Sequence, residues 1–128
     1  MTARKNARFA AQSPDELKRA VWDCCRDEIS SEDNDSSGLH GPIGKWDVSQ
    51  VTDMSKMFKN LEKFDYTISQ WNVSRVIDMS EMFDTAKAFN QDLSNWDVSR
   101  VADMGTMFNY AESFNQALSK WDVSRVTT

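Results

Sequence analysis

The sequence predicts an α/β solenoid of about three to four coils, with one short parallel strand and one short helix per coil and a capping helix at the N-terminal end. Three observations carry this. Trp46, Trp71, Trp96 and Trp121 recur every 25 residues without insertion or deletion. The intervals share one unit, W-[DN]-V-S-x-V-x-D-M-x-x-M-F-x-x-[AL]-x-x-F-[ND]-x-x-[IL]-S-x, and the copies at 71–95 and 96–120 agree at 15 of 25 positions. Within the unit the apolar spacing passes from alternation to a helical period. A repeat of this length buries its apolar face on its neighbours rather than on a core of its own.

The chain divides into a flexible tail (1–12), a cap helix with an acidic loop (13–42) and the repeats (43–128). The copies run 46–70, 71–95, 96–120 and, in part, 121–128. Ser13-Pro14-Asp15-Glu16 reads as a helix start, with Ser13 as cap, Pro14 at the first helical position and Glu16 completing a capping box. Leu17, Ala20, Val21, Cys24 and Cys25 follow on one stripe, so a helix is expected over about 14–28. Its polar outer face suits it to cover the first coil. Residues 30–38 are polar and acidic and read as a loop, and Gly41-Pro42 is a second breaker. Ile43, Ile68, Leu93 and Leu118 each stand three residues before a Trp and open the repeat register.

In the cleanest copy, Trp96-Asp97-Val98-Ser99 alternates apolar and polar, as a half-buried strand does. Met104, Met107, Phe108 and Ala111 then fall at i, i+3, i+4 and i+7, which predicts a short helix capped by Asp103. Asp78 and Glu81 form the matching capping box one copy earlier. Phe114 and Leu118 close the coil.

These residues carry a resemblance. Leu93-x-x-Trp96-x-Val98 resembles the L-x-x-L-x-L strand signature of leucine-rich repeats, with Val101 where Asn or Cys is usual. The run Trp96-Asp97-Val98-Ser99-Arg100-Val101-Ala102-Asp103-Met104, with Met107-Phe108 and Phe114-Asn115-Gln116, is similar to the repeat of BspA-like leucine-rich-repeat surface proteins. The first copy departs from it, with Phe64-Asp65-Tyr66 for Phe-Asn-Gln. The resemblance implies a right-handed, leucine-rich-repeat-like coil in a surface or secreted protein, of a family mostly without assigned function.

Composition narrows the function. A net charge of −5 argues against a nucleic-acid partner. No stretch approaches the ~20 apolar residues of a membrane span. Met1-Thr2-Ala3-Arg4-Lys5-Asn6-Ala7-Arg8-Phe9 is basic but lacks the apolar core of a signal peptide. Cys24 and Cys25, adjacent and alone, make neither a disulfide framework nor a zinc site. They are read as packing residues, with a reactive pair as the alternative.

The candidate binding face is a set of outward rows. If Trp and Val point inward, then Asp47, Asn72, Asp97 and Asp122 point outward on the concave face, one per coil. Ser49, Ser74, Ser99 and Ser124 lie beside them, followed by Gln50, Arg75, Arg100 and Arg125. Strands stacked about 5 Å apart would make these straight columns. They form either a polar face for a protein or glycan partner, or a structural ladder in which Arg of one coil neutralises Asp of the next. The Met columns and the Phe columns (Phe58, Phe83, Phe108; Phe64, Phe89, Phe114) read as core. Asn90-Gln91 and Asn115-Gln116 read as amides serving the bends. Asp33-Asn34-Asp35-Ser36-Ser37-Gly38 matches the first half of a calcium loop, but the twelfth position is Gly44 where a bidentate Glu is needed. No catalytic set surrounds His40, and no phosphate loop is present. The expectation is therefore a non-catalytic scaffold with neither cofactor nor metal. The alternatives are a structural repeat of a longer self-assembling protein and a calcium-dependent module. The unit stops at Val126-Thr127-Thr128, which would leave the third coil open. A longer natural protein, end-to-end self-association and a partial gene each account for that.

Overall fold

The computed structural model describes residues 8–25 and 40–128. The expected helix forms as α1, Pro14–Cys25; residues 26–28 lie outside the described residues. Glu16 N–H donates to Ser13 Oγ at 3.1 Å, and Gln12 N–H donates to Glu16 Oε1 at 2.8 Å. This is the reciprocal capping expected, with the returning bond one residue earlier than in the usual box. Leu17, Ala20 and Val21 are buried, and Cys24 and Cys25 half-buried. Just before α1, residues 9–11 run beside the first copy. Asp47 N–H donates to the Phe9 carbonyl at 2.8 Å and Ala11 N–H to the Asp47 carbonyl at 3.1 Å.

The repeats are built from four-residue turns. Leading into and through the second copy, N–H(i+3)→O=C(i) bonds close Ile68–Trp71, Val73–Val76, Met79–Met82, Phe83–Ala86 and Ala86–Phe89, at 3.0 to 3.3 Å. The first and last residues of each of these turns are buried. The central residues are at least partly exposed, apart from Asp84, which is buried. The apolar-x-x-apolar spacing of the unit is the sequence form of this arrangement. A four-residue turn brings its ends together and throws its middle outward.

Two turns in each copy carry a positive φ at their third residue, as a type II turn requires. In the second copy these are Glu81 (56°) and Thr85 (62°), matched by Lys56 and Asn60 before and by Thr106 and Tyr110 after. Alternate N–H groups are thereby aimed at the next copy. Met79, Glu81, Phe83 and Thr85 donate to the carbonyls of Asp103, Gly105, Met107 and Asn109 at 2.7 to 2.9 Å. Met54, Lys56, Phe58 and Asn60 donate to Asp78, Ser80, Met82 and Asp84 at 2.9 to 3.0 Å. The left-handed region costs a side-chain-bearing residue roughly 1–2 kcal/mol. Exposed Thr106, at φ 49°, therefore stores strain that glycine would release. We expect Thr106→Gly to raise stability by about 1 kcal/mol, net of glycine's greater chain entropy. A higher urea midpoint is the predicted reading, and a lower one would count against the strain.

This overturns the α/β solenoid with a strand and a helix in every coil. Among the described residues there is one α-helix, one 3₁₀ turn (Ile43–Lys45) and no strand. Parallel pairing is confined to the single bridges Ala10–Asp47, Asp53–Asp78 and Asp78–Asp103, so no parallel sheet of leucine-rich-repeat kind is formed. Met104, Met107, Phe108 and Ala111 lie on no helix. Met107 N–H bonds the Met104 carbonyl and Ala111 N–H the Phe108 carbonyl, each across three residues rather than four. Asp103 caps a bend instead, accepting the Gly105 N–H at 2.9 Å. Asp78 does the same for Ser80, and Glu81 is held by Lys59 rather than closing a capping box.

Aromatic columns fill the stack. Phe58, Phe83 and Phe108 lie face to face at 5.3 and 5.5 Å between centroids; Phe64, Phe89 and Phe114 follow at 5.5 and 5.9 Å. The two columns touch within each copy at 4.3 to 4.4 Å. Each Trp ties its copy to the one before. Trp71, Trp96 and Trp121 Nε1 donate to the carbonyls of Ile43, Ile68 and Leu93 at 2.8, 3.1 and 2.9 Å. Trp46 has no earlier copy and donates to the His40 and Gly41 carbonyls. The Phe9 ring stacks on His40 at 3.9 Å and meets Trp46 edge-on, closing this side of the stack.

Candidate functional site

The inward and outward assignment of the candidate face follows from burial. Trp46, Val48, Trp71, Val73, Trp96 and Val98 are buried. Asp47 is half-buried, while Asn72, Asp97 and Asp122 are exposed. The acidic residues bond within their own copy. Asp47 Oδ1 accepts the Ser49 N–H at 2.9 Å and its hydroxyl at 2.6 Å; Asp97 Oδ1 holds Ser99 in the same way at 3.0 and 2.6 Å. Asn72 accepts the Ser74 N–H, and Asp122 the Ser124 N–H, both at 3.0 Å. Each pair is an Asx-type turn that stabilises the bend following the Trp. The serine row is thus the donor set of the aspartate row.

The arginines stand apart from this bonding. Arg75 Nη1 donates to Gln50 Oε1 of the copy before at 2.9 Å. Among the described residues, Arg75, Arg100 and Arg125 form no ion pair with the aspartates of the row. All three are exposed. The face therefore presents guanidinium groups at one position in successive copies, beside carboxylates already held by serine.

That holding sets the charge state. The Ser49 hydroxyl lowers the Asp47 pKa below the ordinary carboxylate value. The Ser99 and Ser124 hydroxyls do the same for Asp97 and Asp122. A carboxylate with a depressed folded-state pKa adds stability above its unfolded value, near 4, and loses it as pH falls through the folded value. Asn72 supplies the same Oδ1 acceptor without a charge. We therefore expect Asp97→Asn to leave the neutral-pH melting temperature nearly unchanged and to soften its fall below about pH 4. Asp97→Ala, which removes the acceptor, should cost about 0.5–1 kcal/mol. Equal melting curves for the two variants would contradict this assignment.

The bend amides are structural. Asn90 N–H donates to Asp65 Oδ1, and Gln91 Nε2 to the Asp65 carbonyl and Oδ1. Asn115 and Gln116 repeat this on Asn90. Asp65 of the divergent first copy therefore supplies the same oxygens as Asn90. An ionic column escaped sequence reading. Lys59 is paired with Glu81 and lies 3.9 Å from Asp84, and Asn109 Nδ2 reaches Asp84 Oδ1 at 3.4 Å. Lys59, Asp84 and Asn109 stand 25 residues apart, so reading down that column would have found it.

The remaining candidates do not converge. The calcium-like segment 33–38 lies outside the described residues. Among the described residues, no three His, Cys, Asp or Glu side chains are grouped to hold a metal. No helix there is long and apolar enough to cross a membrane. The Cys25 thiol is pushed above its usual range by its hydrogen bond with Cys24 and by burial, opposite to the shift of a reactive cysteine.

A family model described as a Mycoplasma protein of unknown function, DUF285, matches residues 28–128. The chain belongs to this family. The matched span includes all four Trp-marked positions and every residue of the outward rows. No curated protein and no solved structure matches the chain.

Proposed function

We propose that this DUF285 chain is a non-catalytic repeat scaffold whose outward face binds a protein or glycan at a cell surface or in a secreted setting. One observation carries the reading. The side-chain oxygens of Asp47, Asn72, Asp97 and Asp122 are each held by the serine two residues on, while the arginine beside them stays exposed in three successive copies. Guanidinium groups offer several donors in a fixed fork, suited to carboxylates and to the polar groups of a protein or sugar. The surface setting is supported by the resemblance to BspA-like repeats.

The test compares the wild-type chain with the triple variant Arg75→Ala, Arg100→Ala, Arg125→Ala, on a glycan array and on a panel of purified extracellular proteins. The expected result is a bound partner whose affinity falls by about tenfold or more in the variant, equivalent to ~1.4 kcal/mol, at an unchanged melting temperature. Absence of binding in both formats, or equal binding by the variant, would contradict the reading.

A further inference from the structure

The outward face carries two charged rows of opposite sign. Asp47, Asp97 and Asp122 form one, with Asn72 in the second copy; Arg75, Arg100 and Arg125 form the other, with Gln50 in the first. Both rows repeat once per copy, and successive copies place their rings 5.3 to 5.9 Å apart. The rows do not neutralise each other within the chain. Each aspartate gives Oδ1 to a serine and leaves Oδ2 without a hydrogen bond among the described residues. Arg75 holds Gln50, and Arg100 and Arg125 hold no acceptor there. The Asp97 carboxylate is kept ionised first by the Ser99 hydroxyl; Arg100 adds to this and Asp122 of the next copy opposes it. Like charges are thus stacked along a row, and opposite charges stand side by side.

That pattern selects its occupant. A polyanion laid along the arginines would run beside a row of carboxylates, and a polycation laid along the carboxylates would run beside guanidinium groups. Such like-charge juxtapositions are costly. A fitting surface carries both rows, at the same repeat and with the signs exchanged. A second copy of this chain has them by construction. We infer that the outward face pairs with the same face of a second copy, about a two-fold axis parallel to the stack. This pairing rests on the reading of these rows as a binding face, and gives that face its partner. A two-fold axis along the stack exchanges the two rows, whereas one across the stack would set each row on itself. Matching copies then meet. Asp97 faces Arg100 of the second chain, and Asp122 faces Arg125. The two departures fall in complementary places, since Asn72 faces Arg75 and Asp47 faces Gln50. The bordering positions agree as well. Lys45, Gln70, Asn95 and Lys120 stand two residues before the acidic row, and Thr52, Ile77, Ala102 and Thr127 stand two after the basic one. The pairing sets these against each other, so no like charges are opposed.

Exposed ion pairs are individually weak, so the dimer is weak and salt-sensitive. Sedimentation equilibrium of the full chain, carried to millimolar concentration in about 20 mM and about 500 mM NaCl, tests it. The expected result is a reversible dimer whose association constant falls by about tenfold or more in the higher salt. Two variants, checked by their melting temperatures, separate charge pairing from other contacts. Arg100→Glu with Arg125→Glu makes both rows acidic. Asp97→Asn with Asp122→Asn keeps the Oδ1 acceptor of each bend and leaves the face basic. Each alone should dimerise more weakly than the wild type. An equal mixture, with one variant fluorescently labelled, should pair more tightly than either alone. A monomer in both salts, a dimer indifferent to salt, or a mixture that pairs no better than its parts would overturn the inference. A monomer that still binds a glycan or another protein through its arginines would overturn it and leave the binding-face reading standing. A charge-paired dimer that binds nothing on the array or the panel would do the reverse.

Discussion

Phe83→Ala is expected to destabilise the chain by about 3–5 kcal/mol. The Phe83 ring is fully buried in the middle copy. It stacks on Phe58 at 5.3 Å, Phe108 at 5.5 Å and Phe89 at 4.3 Å, and meets Trp96 at 6.4 Å. Its removal opens a cavity bounded by rings on three sides. Phe58 and Phe108 belong to turns bonded to the second copy on either side, which limits how far their rings can close in to fill the space. The loss is large against the ~5–15 kcal/mol of a typical domain. Denaturant unfolding followed by Trp fluorescence reads it directly. Phe108→Ala, at the partly covered outer copy, should cost distinctly less. Equal costs at the two positions would deny that stacking depth sets the core's strength. If Phe83→Ala does not fold, Phe83→Leu supplies the same comparison with a smaller loss.

Trp96→Phe is expected to cost about 1–3 kcal/mol through one bond. The indole N–H donates to the Ile68 carbonyl of the preceding copy at 3.1 Å, in a buried setting. Phenylalanine keeps much of the apolar contact but leaves that carbonyl without a donor. Trp121→Phe makes the matching change at a half-buried position, where water can replace the donor, and should cost less. The comparison explains why a Trp recurs at this position of every copy. The ring fills the core, and its nitrogen reaches across to the neighbouring copy. Identical unfolding midpoints for Trp96→Phe and the wild type would show that the inter-copy bond contributes nothing.

Copy number, register and core were legible because they depend on identity at fixed spacing. Trp, Val, Met and Phe recur every 25 residues and nearly all lie inside where a neighbouring copy covers them. The cap of α1 was legible for the same reason, since Ser13 and Glu16 act locally. What was misread is the local conformation. Met104, Met107, Phe108 and Ala111 fit one helical face, yet spacing by three also fits a chain of four-residue turns with both ends inward. A distinguishing signal was present. The spacing of three runs unbroken from Val73 through Val76 and Met79 to Met82, across the place where a strand would have to give way to a helix. The left-handed residues were hidden because Lys56, Glu81, Thr85, Thr106 and Tyr110 are not residues that announce a positive φ; only Asn60 is. For the outward face, the columns were visible and the pairing was not. Aspartate meeting arginine of the next copy was one of two arrangements these columns allowed. The aspartate meets serine within its own copy, because an Asx turn needs no long side chain to be immobilised.

Copies are held together by backbone bonds between turns, not by helices within each copy. Scalar couplings transmitted through hydrogen bonds test this most directly, because they name donor and acceptor. Correlations are expected from Phe83 N to the carbonyl carbon of Met107 and from Thr85 N to that of Asn109, the pairs bonded at 2.9 and 2.7 Å. Correlations from Phe83 N to Met79 and from Thr85 N to Glu81, four residues back, would restore the helix and rule out bonding between turns.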